Sequence, residues 1–139
     1  MIVGISPWAR RYIGIPFVKR GRGFDGVDCY GLHWLIEKTE TGRDLPILDY
    51  AFEPRDVRGI SRLFAGEMPL WRKLDAPEDR CVVMLLTGGV PSHVAVVCGD
   101  GLIIHADDEA GRVICERLVA PSWPQSRIEG FYAFDGGVD

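Results

Sequence analysis

Partway along the chain the spacing of apolar residues changes, and this change limits the fold more than any single motif does. After Asp28, the apolar residues Leu32, Leu35 and Ile36 recur at helical spacing as far as Gly42. From Arg80 onward they come instead as short runs cut by turn residues. Cys81 to Leu86 is followed by Gly88-Gly89 and Pro91, and His93 to Cys98 by Gly99-Asp100-Gly101, after which comes Leu102 to Ala106. Apolar runs of this length between glycines read as strands, and the two flanking Gly99-Asp100-Gly101 read as a hairpin. Arg112 to Leu118 and Ile128 to Phe134 continue the pattern. Helices first and an antiparallel sheet second make an α+β plan.

Two further helices are predicted. One spans Ile5 to Ile13, with Ser6 as its cap and Pro7 just inside it. The other runs from Pro54 to Phe64, with Val57, Ile60, Leu63 and Phe64 on its apolar face. The sequence shows no repeat, low-complexity tract or linker, so residues 1–139 read as one domain. At 139 residues and 47% hydrophobic, the chain can bury a core without staples.

Charge and cysteine usage remove several function classes. A net charge of −4 opposes nucleic-acid binding, which needs cations to displace counterions. No apolar run approaches the roughly 18 residues of a membrane span. From Met1 to Arg11 apolar residues precede two arginines, the reverse of a secretory signal, which predicts synthesis inside the cell without a leader. Cys29, Cys81, Cys98 and Cys115 contain no Cys-x-x-Cys pair, so reduced thiols are expected and a metal site is not. Trp8, Trp34, Trp71 and Trp123 lack regular spacing and read as packing residues. Asp107-Asp108-Glu109 reads as a solvated turn, and Gly21-Arg22-Gly23 lacks the lysine and hydroxyl of a phosphate loop.

Cys29 is the residue best placed for chemistry. It follows a glycine-rich loop and begins a predicted helix, where unpaired N–H groups and the positive dipole end favour a thiolate. Position alone leaves a half-buried structural cysteine as the alternative. A nucleophile needs a base, and the histidines are His33, His93 and His105. His33, one turn after Cys29, reads as a solvated helix position and a reserve base.

For His93 and His105 the hairpin register decides. A two-residue turn at Gly99-Asp100 or at Asp100-Gly101 puts the two histidines on opposite faces of the sheet. A three-residue loop sets His105 opposite Ala95, with His93 its diagonal neighbour on the same face. Glycine at the last loop position favours the third arrangement. Cys29 would then attack a carbonyl, His93 would move its proton, and His105 would hold His93 in one tautomer.

Four segments together resemble the NlpC-type cysteine peptidases, papain-like enzymes that cut peptidoglycan stem peptides. They are Tyr12-Ile13-Gly14-Ile15-Pro16-Phe17, Asp28-Cys29-Tyr30-Gly31-Leu32, His93-Val94-Ala95-Val96-Val97 and Ile104-His105-Ala106. The resemblance implies a papain-like domain with N-terminal helices on a C-terminal antiparallel sheet. It assigns nucleophile, base and third polar residue to Cys29, His93 and His105, and it demotes His33. It also implies substrate contacts from Asp28, Tyr30, Tyr12 and Phe17, with no metal or organic cofactor.

The implied reaction is hydrolysis of a stem-peptide amide, between D-Glu and the diamino acid. Tyr30 replaces the usual serine and resembles a phage tail-associated subgroup, which implies tail proteins as partners and delivery within a particle. Phe17 stands where tyrosine is common. The alternatives are a structural tail-assembly adaptor with an idle triad, or an amidase or acyltransferase on the same three residues.

Overall fold

The computed structural model describes residues 4–45, 71–87, 89–119 and 125–134. The helix predicted over Pro54–Phe64 and the side chain of Trp123 lie outside these residues.

The helix α1 spans Cys29–Thr41. Asp28 caps its start, accepting the Gly31 N–H at 2.8 Å. Gly42 ends it in the left-handed conformation at φ 77°, its N–H returning to the Lys38 carbonyl. The first predicted helix is instead a 3-10 turn, Pro7–Tyr12. The Ser6 hydroxyl makes no cap there, because it donates to Asp79 at 2.6 Å. Trp8 Nε1 donates to the other oxygen of that carboxylate at 2.9 Å, so the segment is tied to a distant loop.

Between these elements lies a small hairpin that the sequence reading treats only as a loop, β1 (Arg22–Gly23) paired with β2 (Gly26–Val27). Its approach presses the Gly21 carbonyl against Gly31 in the first turn of α1, where any Cβ would collide with it.

Among the described residues the second half forms one antiparallel sheet of six strands. These are β3 (Trp71–Leu74), β4 (Val82–Thr87), β5 (Val90–Gly99), β6 (Leu102–Asp107), β7 (Arg112–Arg117) and β8 (Ile128–Phe134), in the order β3-β8-β4-β5-β6-β7. Five of the six are the predicted strands. The sixth, β3, is an edge strand whose central Arg72 and Lys73 are exposed, so its apolar signal reduces to Trp71 and Leu74.

Both faces of the sheet are apolar, and this accounts for the near-continuous hydrophobic runs of β4 and β5. Val96, Cys98, Leu102, Ile104, Ala106 and Val113 pack against Leu32, Leu35 and Ile36 of α1. Val83, Leu85, Ala95, Val97, Ile103 and Leu118 pack on the other side. The β5–β6 hairpin has the register expected of a three-residue loop, reached differently. A two-residue turn at Asp100-Gly101 joins the paired Gly99 and Leu102, and a bulge between Val97 and Gly99 shifts the rest to Val97↔Ile103 and Val96↔Ile104.

Candidate active site

That bulge sets the site. Continued by one residue, the register puts His105 opposite Ala95 and brings both histidines to one face. Their rings meet edge to face, His93 Nε2 lying 2.9 Å from His105 Nδ1. β5–β6 pairing ends at Val96↔Ile104, although β5 runs back to Val90 and β6 on to Asp107. The two strands therefore open apart at the level of the histidines.

The thiol of Cys29 comes to this opening from the helix side. Backbone N–H groups of Val94, Tyr30 and Cys29 itself face the sulfur and favour its charged form. Val97 exchanges hydrogen bonds with the β4 side, its N–H going to the Cys81 carbonyl. Alternation along an antiparallel strand then turns the Val94 N–H toward β6, where the ladder has opened. Val94 is the residue next to His93, so the N–H that faces the sulfur is one residue from the ring pair. Ala95 and Ile103, on the same face as the two histidines, pack on the side of the sheet away from α1. Among the described residues no hydrogen bond joins the sulfur to either imidazole.

Burial sets the resting charge. Desolvation, then the Asp28 charge, pushes the Cys29 thiol up to about 12 against the pull of the three N–H groups. This corrects the expectation of a resting thiolate: the helix start supplies donors, but removal of water outweighs them. Desolvation, with His105 adding, lowers His93 to about 3. His105 falls to about 4, also mainly through burial. Thiol and both rings are therefore neutral at pH 7.

Two residues that the sequence reading missed complete the cluster. His105 Nε2 lies 3.1 Å from Glu116 Oε1 on β7, and Arg127 Nη2 lies 3.9 Å from the same oxygen. A signal for Glu116 existed. His105 pairs with Ile114, and Glu116 is the next residue on that face, within diagonal reach. Nothing in the sequence ties Arg127, from a 3-10 turn before β8, to this strand pair.

Asp28 is nearly buried and directs both oxygens at backbone, Oδ1 to the Gly31 N–H and Oδ2 to the Arg20 N–H at 2.7 Å. Tyr30, expected against substrate, is buried between α1 and the sheet with Trp71, Val94, Tyr132 and Phe134. Tyr12, also expected there, is fully buried, its hydroxyl donating to Glu40 at 2.5 Å and its ring stacked on Phe24. Both rings fall on the inward faces of their elements. Phe17 is half-buried and bridges Val27. His33 is buried rather than solvated. Trp71 Nε1 donates to its Nε2 at 3.1 Å, and burial lowers it to about 3. It faces β3, away from a role as base for Cys29.

No family model matches the chain. Over 99 residues it is 29% identical to protein P54 of Enterococcus faecium, a match spanning 70% of this chain and only 16% of that protein. Among solved structures, the NlpC/p60 domain of the peptidoglycan hydrolase SagA superposes with a TM-score of 0.53 at 24% identity, over 80% of this chain and 84% of that one. An NlpC/p60 family protein from Bacillus cereus gives 0.65 at 22%, over 91% and 37%. The peptidoglycan hydrolase RipB of Mycobacterium tuberculosis gives 0.55 at 18%, over 94% and 64%. Likeness of this kind is likeness of architecture: the chain has the α+β, papain-like fold of NlpC/p60 domains.

Proposed function

We propose that the protein is a cysteine peptidase that hydrolyses an amide in the stem peptides of bacterial peptidoglycan, between D-Glu and the diamino acid. Cys29 is the nucleophile, His93 the acid-base and His105 the residue that orients it. The observation that carries this reading is the 2.9 Å contact between the two rings, one residue along β5 from the Val94 N–H that faces the thiol. The peptidoglycan hydrolases with the same fold supply the substrate class.

The chemistry follows from the neutral resting state. His93 Nε2 is engaged by His105, which leaves Nδ1 for the thiol. As substrate enters, Nδ1 takes the thiol proton while sulfur bonds the carbonyl carbon, an approach that tightens in the complex. The N–H groups at the start of α1 stabilise the oxygen that becomes negative. Collapse breaks the C–N bond, and the imidazolium returns its proton to the leaving amine. Water, deprotonated by His93, then cleaves the thioester and restores the thiol.

Hydrolysis of purified muropeptides, followed by product mass, tests the reading. Wild-type protein should release the expected fragments, and Cys29→Ala and His93→Ala should not. Persistent activity in either variant overturns the assignment, and a silent wild type overturns the function.

One observation favours a second reading, an idle adaptor: the thiol is held protonated by burial rather than poised as a thiolate. The same hydrolysis assay separates the two. The tail-particle setting rests on the aromatic at position 30. Tyr30 fills the space between α1 and the sheet, which accounts for an aromatic there without any tail partner.

A further inference from the structure

We propose that Glu116 is a positioning residue: by accepting the Nε2–H of His105 it fixes the tautomers of both rings and leaves His93 Nδ1 unprotonated to receive the thiol proton. The argument is one of proton counting. A neutral imidazole carries one N–H, and which nitrogen holds it is set by the partner of the other. A carboxylate only accepts, so the 3.1 Å contact with Glu116 requires the proton of His105 on Nε2. His105 Nδ1 is then a lone pair, and the 2.9 Å contact to His93 Nε2 requires a proton there. His93 Nδ1 is left bare. With the opposite tautomer at His105, Nδ1 would donate to His93 Nε2, and His93 would carry its own proton on Nδ1. It could not then act as a base.

Burial raises the Glu116 carboxyl, and the Arg127 guanidinium pulls against that rise. Arg127 lies 3.9 Å from the same Oε1, while its Nη2 donates to the carbonyl of Leu118, the residue after β7, at 2.9 Å. The other charge acting on Glu116 is Asp107, which also acts on both rings. Asp108 acts on His93. These carboxylates bear on the rings through space, whereas Glu116 alone among the described residues makes a hydrogen bond to His105 Nε2.

The kinetic half of this inference rests on the peptidase reading, and the tautomer half does not. Nitrogen chemical shifts of the two rings in uniformly 15N-labelled protein at pH 7 read the tautomers directly. Both Nε2 atoms should be protonated and both Nδ1 atoms bare. A proton on His105 Nδ1 in the wild type overturns the proposal, and no variant is needed to see it.

Glu116→Leu should mix the tautomers of His105 and lower kcat roughly tenfold to a hundredfold, within the reach of general-base catalysis, with KM little changed. Glu116→Gln keeps an acceptor oxygen and should restore both the shift pattern and most of kcat. A Glu116→Leu protein that keeps wild-type shifts and kcat overturns the proposal. Correct tautomers in a wild type that does not hydrolyse muropeptides would instead sink the peptidase reading alone.

Discussion

Asp28 binds Gly31 within the helix start and Arg20 in the loop before it, so one carboxylate joins two segments. Asp28→Ala removes both bonds and should cost about 1–2 kcal/mol, read as a lowered urea midpoint. Asp28→Asn retains one acceptor oxygen and should fall between. Tyr30 poses the sharper question, because the resemblance gives serine at that position. Tyr30→Ser would empty a buried site among Trp71, Val94 and Tyr132. It should destabilise the protein by about 3 kcal/mol or more. Unchanged stability in denaturant, with faster hydrolysis, would show that the side chain works at the substrate instead.

The β5–β6 hairpin depends on Gly99 and Gly101 in different ways. Gly101 has φ 72° with open space where a Cβ would stand, so Gly101→Ala carries only the left-handed strain, about 1–2 kcal/mol. Gly99 has φ 150° and backs onto the Gly4 carbonyl beside its bridge to Ile5. Gly99→Ala adds a backbone collision to the strain and should cost about 1–3 kcal/mol more. Chemical denaturation of the two variants checks the order, and equal losses would refute the collision argument. Gly31→Ala drives a Cβ into the Gly21 carbonyl at the first turn of α1. It should displace the turn that carries Cys29 and lower muropeptide hydrolysis more than it lowers the urea midpoint.

Across the whole molecule, three imidazoles are held neutral by burial: His33 and His93 at about 3 and His105 at about 4. Unfolding frees them to take a proton below their ordinary value near 6.5. The unfolded state therefore binds more protons between about pH 4 and 6.5. Stability is fully present above that window and is lost as pH falls through it, by about 1.4 kcal/mol per pH unit for each ring while it lasts. Burial raises Glu37 and Glu116, which acts in the opposite direction just above 4.5. Urea midpoints at pH 7, 6 and 5 should fall in that order. A flat or rising series would mean that the rings are protonated in the folded protein.

The sequence by itself determined the α+β order, five of the six strands and both ends of α1. These follow from signals local in the chain: apolar period, glycine turns, and a cap residue at a helix start. It left three registers open for His93 and His105, and the bulge between Val97 and Gly99 decided that they share a face. The tertiary structure alone decided the rest. The protonated thiol, the buried Tyr12, Tyr30 and His33, and the contact of Glu116 and Arg127 with the ring pair all depend on what packs around each side chain. Local spacing carries the direction of a side chain, but how far water is excluded from it is set by residues distant in sequence.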